Sequence, residues 1–474
     1  LMEKNLPFNR KLIMSVLFAG SFLSSMNQTS LFTINPAIMG DLHIDAGQAQ
    51  WLFTIFMLAN GVLVPVTAFL IERFSSRSLF IAALAVFLAG TLLAALAPSL
   101  PVLMTARALQ GCGAGMMMPL LQTVIMTIYP LEKRGAMMGL HGTVLAFAPA
   151  IGPVITGWIA DVTSWRFVFW VMFPIGAAVL LAALKYMKNV TEQRPVKVDL
   201  LSLLLSCMGW GGLLYGASMA SAAAWTHPAV FGPMIGGGMI LGLFILRQNR
   251  IGQPMLNFRV FRSRIFVQVV LLSVIIFMIM TVTQILVPIY LQDLRGYSAS
   301  FTGLVMMPAA VLFGVMSLFT GRMYDKSGAR VLSLAGFALC TVSMLLLMNM
   351  DMNDHAAYIA FIYALMIFGN SLNMMPLITA GLNSLSRELV PHGSAMINTL
   401  RMTGGSIGTA LIVSVMNSVT VGSAASEPSD AVLNGISAAF ACMGGMALIG
   451  LLVSLALPRA SRPKAANRTL SSES

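Results

Sequence analysis

Long apolar runs separated by short polar breaks leave this chain with one kind of fold. A helix needs about 20 apolar residues to span the hydrocarbon core of a bilayer. In lipid it must also satisfy its own backbone hydrogen bonds, which an α-helix does internally. Fourteen such stretches can be read, at approximately 11–38, 49–71, 79–98, 101–128, 135–160, 166–187, 199–219, 228–247, 265–292, 299–320, 331–350, 356–383, 393–417 and 433–457. No polar segment long enough for a soluble domain separates them. Of 474 residues, 58% are hydrophobic and 9% charged, with a mean hydropathy of +0.85, more apolar surface than a water-soluble fold can bury. The expectation is an all-α integral membrane protein with 14 transmembrane helices. The first stretch has no small-residue cleavage site after it and is longer than a signal h-region, so it is expected to stay in the mature protein.

Charge sets the orientation. With a cytoplasmic N-terminus, most Lys and Arg fall on the inner side, among them Arg10, Lys11, Arg73, Arg77, Lys133, Arg134, Arg259, Arg262, Arg264, Arg459 and Arg462. Arg166 and Arg295 fall outside. This is the positive-inside pattern, so the net charge of +12 is a topological signal, and no nucleic-acid partner is expected. Both termini are placed in the cytoplasm, and the partner common to the whole chain is the lipid bilayer. Cys112, Cys207, Cys340 and Cys442 lie within spans, at neither metal-ligand nor disulfide spacing, and read as small hydrophobes.

The chain repeats itself. AFLIERFSSR (Ala68 to Arg77) follows the second span and GRMYDKSGAR (Gly321 to Arg330) the tenth, each with an acid, a base and a closing Arg. Pro36 and Pro288, near the ends of spans one and nine, recur at nearly the same offset, as do Arg10 and Arg262. Two halves in parallel repeat are the mark of a transporter with an axis along the membrane normal. The division is a six-helix half at 1–190, an inserted transmembrane hairpin with its linkers at 191–255, and a second six-helix half with a cytoplasmic tail at 256–474.

Span five holds AFAPAIGPVITGW (Ala146 to Trp158). Pro149 and Pro153 each remove a backbone hydrogen bond and bend the axis, while Gly152 and Gly157 bare one wall for close helix packing. Gly152, Pro153 and Gly157 resemble the antiporter motif of drug exporters. Also matching are both loop motifs (Glu72, Arg73, Arg77; Gly321, Asp325, Arg330), the Arg107, Gln110, Gly111, Gly113 pattern of span four, and PMLNFRVFRSRIF entering span nine. Over nearly its whole length the chain resembles the fourteen-span drug:proton antiporter subfamily of the major facilitator superfamily. MNQTSLFTINP (Met26 to Pro36) is most similar to the lincomycin-resistance-type multidrug exporters. The resemblance implies a major facilitator fold in a bacterial inner (plasma) membrane and export of small-molecule drugs or metabolites. It also implies the proton gradient as energy source, with no cofactor. The chain departs from the pattern at Glu72, Ser75 and Ser76, and at Asn27, where many relatives carry an aspartate.

No acid falls in the middle of a span, and the fixed charges at membrane depth are Arg107 and Arg401. At about 100° per residue Arg107 shares a face with Gln110, Ala114, Met118 and Gln122. Ser394, Asn398 and Arg401 form a comparable stripe, span one adds Asn27 and Gln28, and span twelve adds Asn370 and Asn373. These are the expected substrate-binding residues, outlining a polar, Met-lined cavity. Arg107 can equally tie helices together, and amides also bind neighbouring helices. Arginine stays protonated, so neither arginine can carry the proton. Candidate carriers are the rim acids Asp161, then Asp41 and Asp293, and His141, the histidine placed within a span. Glu72, Arg73, Arg77, Asp325 and Arg330 read as a latch between the halves, with Gly152, Pro153 and Gly157 as the bending element. The chain is not expected to be an enzyme: no cluster of acid, His or metal ligands stands near one face, and G-x-x-x-x-G-K-[ST] is absent. The alternative function is a carrier for an anionic metabolite, drawn by Arg107 and Arg401. Oligomeric state is left open.

Overall fold

The computed structural model describes residues 9–193, 199–220, 225, 227–422 and 428–458. Among these it holds thirteen α-helices: α1 (Arg10–Leu42), α2 (Ala46–Arg73), α3 (Ser76–Ala95), α4 (Leu100–Ile128), α5 (Leu131–Val162), α6 (Trp165–Tyr186), α7 (Leu200–Met219), α8 (Pro228–Arg250), α9 (Arg264–Ile289), α10 (Ala299–Met348), α11 (Ala356–Asn383), α12 (Val390–Gly422) and α13 (Pro428–Leu455). Twelve of them, α2 to α13, are long and apolar enough to cross a membrane. α10 takes in two of the stretches expected as separate spans. Its 50 residues are broken at Gly328, whose backbone is left-handed (φ 75°, ψ 175°), a conformation that only glycine adopts readily. The loop motif, expected as a link between helices, is instead wound into the ends of two helical arms, 299–327 and 329–348.

Helices α1 to α6 pack into one body and α9 to α13 into another, with the two arms of α10 making six helical segments in the second. The hairpin of α7 and α8 packs on itself, and α7 lies against both α2 and α12, along one seam between the bodies. Lipid tails are as apolar as Leu, so close approach of small residues replaces the hydrophobic drive in joining such helices. The clearest case is α5, which serves both bodies. At its first half Gly139 faces Gly321 of α10, where an added Cβ would lie 3.0 Å from the Gly321 Cα. Between the two prolines Gly152 faces α1, where a Cβ would lie 3.0 Å from Thr29 Oγ1 and 3.1 Å from the Met26 carbonyl.

The end of the molecule carrying Arg10, Arg73, Arg134 and Arg387 is its basic end. There α5 and α10 are in contact through Gly135, Gly139, Gly142, Ser317 and Gly321, and Phe147 still packs on Gly314. Farther out they part: Gly303 of α10 has open space over its Cα, and Val154 and Trp158 of α5 are 72% and 69% exposed. The seam between the bodies is therefore shut at the basic end.

Candidate functional site

The seam at the basic end is held by two carboxylates that cross it in mirrored fashion. Asp325, closing the first arm of α10, accepts the backbone N–H of Gly135 and of Ala136 at the start of α5, each at 2.9 Å. Glu72, closing α2, meets His392 Nε2 at the start of α12 at 3.0 Å. His392 Nδ1 accepts the Asn257 N–H at 3.3 Å, which leaves Nε2–H as the donor to Glu72. Arg134 Nη1 adds a bond of 2.8 Å to Asn383 Oδ1, and Asn383 Nδ2 donates to the Tyr324 hydroxyl. The basic members of the loop motif act differently. Arg77 donates to the Leu184 carbonyl at 2.7 Å inside the first body, and Arg73 lies over the Phe74 ring. Among the described residues no hydrogen bond joins Arg330 to the other body. The acids cross the seam, and Arg77 braces its own side. His392 was not singled out from sequence; a histidine in the first turn of a helix opposite the motif acid was the available signal.

The residues expected to line one cavity fall into separate clusters. Arg107 is 1% exposed and lies wholly inside the first body. Its Nη1 donates to Asn27 Oδ1 at 2.6 Å and Gln110 Oε1 at 2.8 Å, its Nε to the Leu52 carbonyl at 3.4 Å, and its guanidinium stacks 4.3 Å over Phe56. Gln110 Nε2 goes on to Thr91 at 3.1 Å, and Asn27 Nδ2 to Met172 Sδ at 3.7 Å. Five helices are tied by this one network. Gln28 reaches Met57 Sδ at 3.5 Å.

The second cluster lies between the bodies. Gln122 Oε1 accepts from Ser394 Oγ at 2.7 Å and from Asn398 Nδ2 at 2.8 Å. Arg401 Nη2 donates to Asn398 Oδ1 at 3.2 Å and approaches Met118 Sδ at 3.8 Å, with Phe277 5.1 Å away under the guanidinium. Met118 is eleven residues past Arg107 on α4, about 16 Å along the axis at 1.5 Å per residue. Arg107 and Arg401 are thus not brought together. His141, fully buried, stacks on Phe18 of α1 and lies within electrostatic reach of Arg401. Asn370 Nδ2 bonds the Ile276 carbonyl of α9 at 3.4 Å, and Asn373 Nδ2 the Gly369 carbonyl of its own helix at 3.1 Å, so both brace the second body.

Buried polar atoms are usually paired, and each one left unpaired costs about 1–3 kcal/mol. In this molecule Gln122 Nε2, Arg401 Nε and Nη1, and both nitrogens of His141 are buried with no partner. Five such atoms therefore gather at or beside the inter-body cluster.

Of the rim acids, Asp41 is tied down: its Oδ2 lies 2.7 Å from Arg166 Nη1 and 3.2 Å from Trp165 Nε1. Asp293 is exposed in the π-helical turn Tyr290–Leu294 after α9. The side chain of Asp161 lies outside the described residues. Among the described residues no group of three or more His, Cys, Asp or Glu could hold a metal ion.

The fold has known counterparts. The structure of the human organic anion transporter MFSD10 superimposes with a TM-score of 0.68 at 12% identity, covering 95% of this chain and 100% of that one. The proton:xylose symporter XylE gives 0.65 at 13% identity over 95% and 96%. In sequence, the uncharacterized MFS-type transporter YcnB of Bacillus subtilis is 46% identical over 459 residues, 96% of this chain and 97% of its own. The lincomycin resistance protein LmrB of Listeria monocytogenes is 36% identical over 456 residues, 95% of this chain and 97% of its own. The model of the Major Facilitator Superfamily matches residues 17–409. With two helical bodies, a seam shut at one end and relatives of matching length, the chain is a multi-pass membrane transporter that belongs to the major facilitator superfamily.

Proposed function

We propose that this protein exports amphipathic drugs or metabolites from a bacterial cytoplasm by alternating access, driven by inward proton flow. The observation that carries the reading is a match over nearly the full length of both chains to a lincomycin resistance protein, together with unpaired polar groups buried between two bodies. A multidrug transporter of Bacillus subtilis, MdtP, at 26% identity over 410 residues, supports the same direction. Counting the arms of α10 separately and adding α1 makes fourteen spans; on this reading the basic end, where α1 begins, faces the cytoplasm of the inner (plasma) membrane. The structure is then the state closed to the cytoplasm.

Substrate meets Met118, Gln122, Asn398 and Arg401 between the bodies, while Glu72 and Asp325 work the inner gate. With Asp41 held by Arg166, proton entry falls to Asp161 or Asp293 at the outer rim, passing toward His141. The test is a pH-sensitive dye inside proteoliposomes containing the purified protein. Adding candidate drugs from a panel of anionic, neutral and cationic compounds should, for those transported, move protons opposite to the drug. Drug movement with no proton movement would rule out antiport, and movement of neither across a broad panel would rule out the exporter.

A further inference from the structure

The unpaired atoms of Arg401 and Gln122 have one chemical sign. Gln122 has its acceptor oxygen taken up twice, by Ser394 and Asn398, and only its Nε2–H donors remain. Arg401 has Nη2 engaged with Asn398 and Met118, leaving Nε–H and Nη1–H. What remains on both side chains is N–H with no hydrogen-bond partner among the described residues. The described acids lie at helix ends, in loops or, for Asp325, at the gate, so no carboxylate balances this guanidinium. A buried charge at membrane depth costs several kcal/mol until it meets a partner or water. Arg107, of the same residue type, shows the contrast: it is surrounded by the oxygens of Asn27, Gln110 and Leu52.

We propose that Arg401 and Gln122 form a binding site for the anionic group of an amphipathic organic anion, such as a carboxylate or sulfonate. Phe277 and Met118 border the guanidinium and receive the apolar body beside it. Met118 is unbranched and polarisable, which suits bodies of varied shape. His141 adds two further unpaired nitrogens within reach of the same charge. An organic cation is disfavoured here by the guanidinium itself. The site rests on the reading of the seam as the substrate path and assigns the class of substrate that uses it.

Three probes with one fluorophore separate charge from shape: dansylglycine (anion), dansylamide (neutral) and dansylcadaverine (cation), titrated into the purified full-length protein in nanodiscs. Dansylglycine should bind at least about tenfold tighter than dansylcadaverine, the size expected of one charge-assisted hydrogen bond. Arg401→Gln should abolish that preference, and Arg401→Lys should keep the order. Gln122→Glu places a carboxylate beside the guanidinium, and should weaken dansylglycine and admit dansylcadaverine. Thermal unfolding of each variant identifies any that fail to fold, and the wild-type comparison needs no variant. Equal binding of the three probes, or tighter binding of the cation, would overturn the site. Charge preference without drug transport in proteoliposomes would uphold the site and sink the exporter reading, whereas transport without charge preference would sink the site alone.

Discussion

Two arginines of similar burial do different work, and the difference lies in their partners. Arg107 is a structural tie with three oxygen acceptors and an aromatic face, so removing a partner leaves a buried charge less compensated. Asn27→Ala should lower thermal stability by roughly 1–3 kcal/mol without substrate present. Arg107→Lys should not restore what Arg107→Ala loses, because an ammonium cannot reach Asn27, Gln110 and Leu52 in their separate directions. Denaturation in nanodiscs measures both. Asp325 belongs to the gate. Asp325→Ala frees the N–H groups of Gly135 and Ala136 and removes two charge-assisted bonds across the seam, each worth about 1.5–3 kcal/mol. A cysteine at Thr127, beside the cavity of about 120 Å³ that opens near Glu72 and Arg387, should then react faster with thiol reagent from the basic end. Unchanged labelling would mean that Asp325 is only part of a basic loop. Proton entry is tested by Asp161→Asn, which should weaken gradient-driven export and spare substrate exchange. The acids of the loop motif were legible in sequence because their pattern repeats. Their partners were not: neither His392 nor the N–H groups of Gly135 and Ala136 carry a pattern of their own. Arg107 and Arg401 were legible as buried charges, but a single-helix face could not tell an inter-body position from one inside a body.

Among the elements, α5 bears most on movement. Its first half packs on α10 of the second body and its second half, through Gly152 and Gly157, on α1 of the first, with Pro149 between the two contacts. Bending there changes one contact without breaking the other. Gly139→Leu should overpack the α5–α10 crossing by about 1–3 kcal/mol and hold the basic end apart, again read by labelling at Thr127. Gly152→Leu should instead push α5 from α1, and lower stability in either state. The hairpin has its own ionic fastening, Asp199 to Arg247 at 2.9 Å. Hydrogen bonding from Arg247, then from Ser202, holds the Asp199 carboxyl down at about 2. A group so depressed stabilises the fold above its ordinary range and loses that contribution as pH falls toward 2. Hydrogen exchange of α7 and α8, corrected for intrinsic rate, should therefore be flat from about pH 8 to about pH 5 and rise only in stronger acid. Asp199→Asn should show the raised exchange throughout. Helix positions were legible from hydropathy alone, since a spanning segment needs length and apolarity. The joining of two stretches as α10 was not, because it depends on Gly328 tolerating a left-handed backbone inside a polar loop.

At the scale of the whole molecule, the repeat, the hairpin and the distribution of charge describe two bodies about a seam that is shut at the basic end. Orientation can be settled with single cysteines in a background lacking the four native ones. A cysteine at Ser426 should react with an impermeant reagent in intact cells and one at Glu192 should not, and the opposite pattern would invert the protein in the membrane. The claim that the bodies alternate is tested most directly by two spin-label pairs measured by electron resonance in nanodiscs. One joins Glu132 on α5 to Lys326 on α10 at the basic end, and the other joins Trp158 to Leu304 on the same two helices at the far end. On adding substrate or changing pH, the expected result is a second population in which the Glu132–Lys326 distance lengthens while the Trp158–Leu304 distance shortens. Distances that stay fixed under every condition, or that lengthen together, would contradict alternating access.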